Sequence, residues 1–255
     1  MNILAIIGIV LGFAGVIFGY LEDEGVLSAL VKIPALSIVF GGTFGIMLAS
    51  NPLSRLKKIP AAFRLAFLSK RDDSVELVEI LVSIAVTARQ SGLLALESES
   101  SKYDNPILTK GLEYIADGVT PEYLKHALDL ECEALLDSYE EAAKVFEGMG
   151  GAAPTMGVLG TVMGMVSILR DMSADMASLG GKIATAFIAT MYGVGSANLL
   201  WLPIAAHIKA ATEEVGAYNK ILIQGLVLIQ SGEYPTRIKE LLLAMCGPEN
   251  GKRGA

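Results

Sequence analysis

Two threonines lie near the middle of long stretches that contain no Asp, Glu, Lys, Arg or His. Thr161 lies in residues 148–169, and Thr190 lies in residues 183–206. A threonine hydroxyl in a helix can bond the backbone of its own helix and still offer its oxygen to a passing ion or a neighbouring helix. The residues alone therefore leave two roles open for these hydroxyls, one in an ion pathway and one in helix packing.

Small residues recur at three- and four-residue spacing around both threonines. Such residues let helix backbones approach closely inside a membrane. The first strip contains Gly157, Gly160 and Gly164, and the second contains Ala186, Thr190, Gly193 and Ala197. The pattern predicts a tight contact between two helices more directly than it predicts a pore.

Two prolines lie near opposite sequence ends of the same two stretches. Pro154 is near the start of the first, and Pro203 is near the end of the second. If the two helices are antiparallel, both prolines lie towards the same side of a membrane. Proline removes a backbone donor and can bend or hinge a helix, so a static kink and a moving hinge both remain open.

Four charge-free stretches are long enough to cross a membrane. They comprise residues 3–20, 33–51, 148–169 and 183–206. A membrane-spanning helix needs about 20 residues, and only helical hydrogen bonds satisfy the backbone of such a segment in lipid. The charged fraction is 18%, against about a quarter in soluble domains. We predict an all-α polytopic membrane protein with four transmembrane helices and a helical cytoplasmic domain.

Charged residues beside the stretches predict their orientation. The first loop is short and acidic, whereas a basic cluster directly follows the second stretch. Basic clusters are retained on the cytoplasmic side. The cluster consists of Arg55, Lys57, Lys58 and Arg64. We expect both termini and the long second loop to face the cytoplasm, and residues 3–20 to be retained because they lack the basic flank of a signal peptide.

The chain divides into four predicted regions. Residues 1–51 hold two spans and a short periplasmic loop, residues 52–147 form the cytoplasmic domain, residues 148–206 hold the last two spans, and residues 207–255 form a cytoplasmic helical tail. Residues 52–147 carry 11 basic and 17 acidic residues, which is most of the charge of the chain.

Local signals predict helices outside the spans. Asp73, three residues before Glu76, resembles a capping box and predicts a helix start. Pro121 at a first helical position predicts a second helix that continues to about Phe146. The tail is predicted as one amphipathic helix or a pair, interrupted around residues 231–232.

The polar residues form no catalytic or metal-binding pattern. His126 and His207 stand apart, and no nucleophile–base or phosphate-loop arrangement occurs, so no enzyme is predicted. Cys132 and Cys246 form no CxxC motif or Cys/His cluster, so no metal site is predicted. The net charge of −7 does not indicate nucleic-acid binding.

The missing intramembrane charge is informative. Proton and cation pathways usually depend on an ionisable residue inside the membrane, and the four stretches contain none. Either the chain moves no ions, or a partner helix supplies a carboxylate. A solute transporter is less favoured, because the chain shows no internal repeat.

Three segments carry a resemblance to a known family. PTMGVLGTVMGMV, a short loop and then AFIATMYGVGSANLLWLPIA resemble the MotA/PomA subunit of the bacterial flagellar stator, as does the cytosolic segment ARQSGLLALE. The resemblance covers nearly the whole chain. The wider group contains TolQ and ExbB, so an ion-driven energiser of an envelope process is the alternative, although those relatives usually have three spans.

The resemblance implies an assembly and a mechanism. Five copies are expected to form a ring in the bacterial inner membrane around a dimer of single-span MotB/PomB-like partners, in contact with membrane lipid. A partner aspartate carries Na⁺ or H⁺ along residues 148–206, which line the partner interface. Ion flow turns the ring, and the cytosolic domain pushes the rotor protein FliG. The transported ion is the only implied cofactor.

The resemblance also implies residue roles. Thr161 and Thr190 face the partner aspartate, Pro154 and Pro203 couple ion flow to movement, and Arg89 and Glu97 contact the rotor. From the residues alone, the last two form a solvated pair on a helical hairpin. Gln90 departs from relatives that carry Lys there. Thr161 favours Na⁺ weakly and does not exclude protons.

Overall fold

The computed structural model describes residues 3–68, 73–170 and 176–247, and these residues form helices and no strand. They fall into two compact units. The first unit lies within Met1–Ser69 and Ser138–Ala211, and the second lies within Lys70–Asp137 and Thr212–Ala255. The helical prediction is confirmed.

The helices are numbered in chain order. They are α1 (Ile3–Glu22), α2 (Leu27–Leu30), α3 (Ile33–Leu36), α4 (Gly42–Ser50), α5 (Leu53–Leu56), α6 (Ile59–Leu68), α7 (Ser74–Ser91), α8 (Leu96–Ser100), α9 (Pro106–Ala116), α10 (Pro121–Arg170), α11 (Met176–Ser196), α12 (Leu202–Gln230) and α13 (Pro235–Met245). A 3₁₀ turn, Leu93–Ala95, precedes α8, and π-helical turns at Ser37–Gly41 and Ala197–Trp201 lead into α4 and α12.

Within the described residues, three helical segments are long and apolar enough to cross a membrane. They are Ile33–Ser50, Pro121–Arg170 and Leu179–Gln230. The first predicted span also forms an apolar helix, but its segment Ile6–Glu22 is shorter than the others. The helical identity of all four spans is therefore confirmed, and the count of four crossings stays a prediction.

The helix predicted to end near Phe146 does not end there. It continues as α10 to Arg170, so it includes the third predicted span. The prediction was wrong because three glycines follow Glu147 and weaken the helical signal, whereas tertiary packing holds this turn. Met149 is buried with Ala153 in the core of the first unit, and burial of a helix face outweighs local propensity.

The core of the first unit lies between α6, α10 and the α11–α12 region. It contains the buried residues Ala62, Ala66, Phe67, Ala142, Ala143, Phe146, Met149, Ala153, Ala197, Trp201, Ile204, Ala205 and Ile208. Trp201 lies in the second π-helical turn and packs edge-on against Phe44, with ring centroids 5.8 Å apart. Half-buried Phe40 lies 6.5 Å from the same ring.

The second unit has its own apolar core. Helices α7, α9 and α13, with residues 121–137 and 212–230, bury a cluster that includes Leu77, Leu81, Leu112, Ile115, Leu124, Leu128, Leu222, Leu226, Ile238 and Leu242. At the start of α7, the Asp73 side chain accepts a hydrogen bond of 2.9 Å from the Val75 amide. The predicted helix start at Asp73 is thus confirmed.

The predicted interruption of the tail is also confirmed. Helix α12 ends at Gln230, and α13 begins at Pro235. Gly232 has a φ of +74°, which favours glycine because it has no Cβ. Its amide bonds the Ile229 carbonyl at 3.0 Å, and the Glu233 amide bonds the Leu228 carbonyl at 3.1 Å. This pair of bonds is a Schellman turn.

Candidate functional site

The backbones of α10 and α11 touch at two glycines. A Cβ added to Gly193 would lie 2.6 Å from the Ala153 carbonyl oxygen and 3.0 Å from the Gly157 Cα. A Cβ added to Gly157 would lie 2.9 Å from the Ala189 carbonyl oxygen. Both contacts are with backbone atoms, which cannot turn aside as a side chain can. These two positions therefore require glycine for the observed approach.

The contact continues along α10. A Cβ at Gly160 would lie 2.7 Å from the Ala189 methyl group, and a Cβ at Gly164 would lie 2.7 Å from the Ala186 methyl group. The glycines of one helix thus face alanines of the other. The tight contact between these two helices, predicted from the small-residue strips, is confirmed.

The two predicted threonines meet inside this contact. The Thr161 and Thr190 hydroxyl oxygens are 2.5 Å apart. The Thr161 hydroxyl also lies 3.1 Å from the Gly157 carbonyl of its own helix and 3.0 Å from the Ala186 carbonyl of α11. Since a hydroxyl has one proton, Thr161 donates either to one of the carbonyls or to Thr190, and either hydroxyl can be the donor of the bond between them.

This network has a chemical consequence for both hydroxyls. The contact between the two oxygens is one hydrogen bond across the helix contact, in which one hydroxyl donates to the other. A hydroxyl oxygen has two lone pairs, and Thr190 is half-buried rather than enclosed. The arrangement joins the two helices and leaves oxygen that an ion could contact, so both roles expected from the sequence remain compatible with the geometry.

The described faces beside the threonines are apolar and exposed. On α10 they include Val158, Leu159, Val162, Met163, Met165, Val166 and Leu169, and on α11 they include Ile183, Phe187, Met191 and Val194. Apolar faces of this extent contact lipid or other helices. No charged side chain lies in residues 148–169 or 183–206, so these two segments contribute no carboxylate of their own.

The two prolines lie in different backbone settings. Pro154 is inside α10, which runs on through it. Pro203 is in the first turn of α12, directly after the π-helical turn Ala197–Trp201. Proline cannot donate to the carbonyl four residues earlier, which is Leu199 in that turn. The wider turn fits this missing bond, and it was not predicted from the sequence.

Packing brings the backbone near the two prolines together. Gly150 is four residues before Pro154, and Leu202 immediately precedes Pro203. A Cβ on Gly150 would lie 2.5 Å from a Leu202 methyl carbon. This contact agrees with the prediction that the two helices are antiparallel and that both prolines lie towards the same side of the membrane.

Arg89 and Glu97 do not form the solvent-exposed ion pair that the residues alone indicated. Both are exposed, but no ion pair joins them in the described part of the chain. The Arg89 guanidinium instead lies over the Tyr234 ring, 3.8 Å from its centroid, and donates a hydrogen bond of 3.4 Å to the Gly232 carbonyl. Tyr234 was missed because no local pattern links α7 to the α12–α13 turn.

Comparisons with known proteins identify the family. Residues 6–92 match the model described as Motility protein A N-terminal, and residues 99–219 match that of the MotA/TolQ/ExbB proton channel family. Motility protein A of Bacillus subtilis (strain 168) is 32% identical over 244 residues, which cover 95% of this chain and 90% of that protein. The chain belongs to the MotA/PomA family of flagellar motor stator subunits.

A further relative and a solved structure match nearly the whole length of the chain. The Bacillus subtilis protein YtxD, described as uncharacterized, is 31% identical and covers 97% of this chain and 91% of its own length. The flagellar MotAB stator complex from Bacillus subtilis superposes with a TM-score of 0.90 and 31% identity, covering 98% of each chain. The resemblance to MotA/PomA is confirmed, and the TolQ/ExbB-like alternative is not favoured.

The family assignment sets the broad class of activity. MotA-type proteins are membrane-embedded stator subunits of the flagellar motor, and the matching family is one of proton channels rather than an enzyme class. Within the described residues, the Thr161–Thr190 pair brings two hydroxyl oxygens together between two charge-free helices.

Proposed function

We propose that this chain forms an ion channel with a single-span partner of the MotB/PomB type and converts the ion-motive force into torque. The observation that carries the proposal is the hydroxyl pair between two helices that contain no ionisable group. Such helices need a carboxylate from a partner to carry an ion. Each charge crossing the membrane releases about 2.3 kcal/mol per 100 mV.

The proposed assembly is a ring of five copies around a dimer of the partner. The exposed apolar faces of α10 and α11 support it, because they extend well beyond a single helix contact. The solved flagellar MotAB stator complex of Bacillus subtilis is a complex of MotA with MotB. Lipid would cover the apolar surface that no protein covers, including exposed residues of α1.

The proposed location is the bacterial inner membrane, with both termini in the cytoplasm. The basic cluster Arg55, Lys57, Lys58 and Arg64 supports this orientation, because such clusters are retained on the cytoplasmic side. The same orientation exposes Arg89 and Glu97 to the rotor protein FliG. Both side chains are exposed, and neither forms an ion pair within the described residues.

The coupling ion is proposed to be Na⁺ or H⁺, with a preference for Na⁺. A hydroxyl oxygen is a reasonable ligand for a partly dehydrated Na⁺ ion, and Thr161 and Thr190 place two such oxygens side by side. No other cofactor is proposed.

Complementation tests the proposal. The chain and its partner are expressed together in cells that lack their own stator, and rotation of tethered cells is recorded. We expect rotation with both proteins, none with either alone, and none when the partner's intramembrane Asp is changed to Asn. Absence of rotation with both proteins, in cells where the complex is assembled and conducts ions, would instead indicate the envelope energiser.

A further inference from the structure

The Arg89 guanidinium is held by two groups of the α12–α13 turn. Its carbon atom lies 3.8 Å from the Tyr234 ring centroid, within the range of a cation–π contact. One of its terminal nitrogens donates to the Gly232 carbonyl at 3.4 Å. Tyr234 is 60% exposed, so the ring serves mainly as a platform and contributes little to the core.

A defined backbone turn holds the Tyr234 ring in place. The Schellman turn at Gly232 fixes the chain just before Tyr234. Tyr234 is the N-cap residue of α13, and its side chain makes no capping hydrogen bond. A change of this side chain therefore removes the ring without removing a helix cap.

Helix α7 carries Arg89, and helix α13 begins directly after Tyr234. Both helices pack against the same residue of α12. A Cβ on Gly225 of α12 would lie 2.6 Å from a Leu81 methyl carbon of α7 and 3.1 Å from one of Leu242 of α13. Leu81 and Leu242 are completely buried. The position of Arg89 relative to Tyr234 is thus set by core packing.

The charge of Arg89 is left without a carboxylate. The acidic residue on the turn, Glu233, is bound by Arg237 at 3.0 Å. Across the described residues no carboxylate lies within ion-pair distance of Arg89. A guanidinium has five N–H donors in a plane, so stacking on a ring and one carbonyl bond leave donors at its edge.

We infer that Tyr234 and the Gly232 carbonyl position Arg89 to form a two-pronged hydrogen bond with a carboxylate on a docking protein. This inference rests on the proposed rotor contact and names what orients it. A stacked guanidinium is already planar and oriented, so it loses less freedom when it binds a carboxylate. Tyr234 is a positioning residue in this arrangement, and Arg89 is the residue that touches the partner.

Binding of the purified stator complex to purified FliG tests the inference, with rotation of tethered cells as a second measurement. Tyr234→Leu removes the ring, and Arg89→Lys keeps the charge but removes the planar fork. We expect Tyr234→Leu to raise the Kd by about two- to fivefold, on the scale of one exposed cation–π contact. Arg89→Lys should raise the Kd at least as much, because it also removes the fork that binds the carboxylate. Tyr234→Phe and Tyr234→Trp keep a ring and should bind as the unmodified complex does.

Tyr123→Leu is the matched control. Tyr123 is an exposed tyrosine of the same unit, 55% accessible, and its ring faces Tyr114 at 6.1 Å rather than an arginine. The Tyr123→Leu substitution should leave the Kd for FliG unchanged. Combining Tyr234→Leu with Arg89→Lys should weaken binding no more than Arg89→Lys alone, since the ring acts only through the Arg89 guanidinium.

Three results would overturn the inference. They are unchanged binding in Tyr234→Leu, weakened binding in Tyr234→Phe, and a loss in Tyr234→Leu that follows a loss of folded, assembled complex. If the unmodified complex conducts ions but neither binds FliG nor rotates cells, the proposed rotor function fails instead. The two failures are therefore distinguishable.

Discussion

The hydroxyl oxygens of Thr161 and Thr190 lie 2.5 Å apart, at a point where α10 and α11 are joined backbone to backbone. Glycines on α10 allow the helices to come this close, and the closeness brings the hydroxyls into bonding distance. Helix packing and the polar site therefore have one structural cause. Substitutions at the glycines and at the threonines separate the two contributions.

Gly193→Ala should destabilise the first unit. The added methyl group would lie 2.6 Å from the Ala153 carbonyl oxygen, and relief requires the helices to move apart. Such overpacking costs about 1–3 kcal/mol, which thermal unfolding in detergent can measure. Gly195→Ala, on the same helix with open space around its Cβ, is the control. Equal stability of both variants would contradict the close approach.

The two threonine hydroxyls should be energetically coupled. A double-mutant cycle with Thr161→Val and Thr190→Val should give a coupling of about 0.6 kcal/mol, and no more than about 1.7, as for other hydrogen bonds between membrane helices. Unfolding free energies of the four proteins measure it. Thr185→Val serves as control, because among the described residues the Thr185 hydroxyl bonds the Gly181 carbonyl of its own helix and no other helix. Additive effects would show that the pair does not interact.

Thr161→Ala should alter the ion dependence of motility. The change removes one of two adjacent hydroxyl oxygens, so a Na⁺-driven motor should need more Na⁺ for the same swimming speed. Swimming speed against external Na⁺ concentration, at constant pH, measures the effect. An unaltered Na⁺ dependence removes Thr161 from the ion pathway and leaves it as a packing residue.

Lys58 should make the stability of the first unit depend on pH. The Lys58 ammonium lies 2.6 Å from Glu141, and this hydrogen bond lowers the pKa of the Glu141 carboxyl below its usual range. A lowered folded-state pKa stabilises the protein above the usual glutamate pKa and loses that contribution as the pH falls through the folded value. Unfolding midpoints should therefore differ between the protein and Lys58→Met at neutral pH and converge in acid.

Lys57→Met is the control for that comparison, since Lys57 is exposed and forms no ion pair in the described part of the chain. Its midpoint should follow that of the unmodified protein at every pH. A constant difference between Lys58→Met and the unmodified protein down to strongly acidic pH would show that the ion pair does not cause the effect.

Cys132 should react slowly with thiol reagents in the folded protein. It is buried beside the core of the second unit, and burial raises the pKa of its thiol, opposed by a hydrogen bond with Asn219. A raised pKa leaves less thiolate at neutral pH, and the thiolate is the reactive form. In a Cys246→Ser background, alkylation at pH 7.5 should be slow and should accelerate on unfolding. Fast alkylation of the folded protein would contradict this burial.

Local chemistry explains which elements could be predicted from the sequence. The start of α7 follows from a capping aspartate, and the interruption before α13 follows from a glycine next to a proline-led helix. The contact of the spans follows from small-residue spacing. Each of these signals lies within a few residues of the feature it predicts.

The remaining features depend on partners distant in sequence. The continuation of α10 beyond Phe146 depends on burial against α12 residues such as Ile204 and Ala205. The partner of Arg89 lies on a turn more than a hundred residues later, and the hydrogen bond to Gly232 spans 143 positions. The π-helical turns have no periodic signal, although Pro203 lies next to one of them.

The glycine contact between α10 and α11 also limits how the chain can move under load. Because Gly157 and Gly193 bring backbone against backbone, neither helix can rotate about its own axis without driving a side chain into its neighbour. Over this stretch the two helices therefore move together as one rigid unit. A force applied to either helix within this stretch therefore also acts on the other.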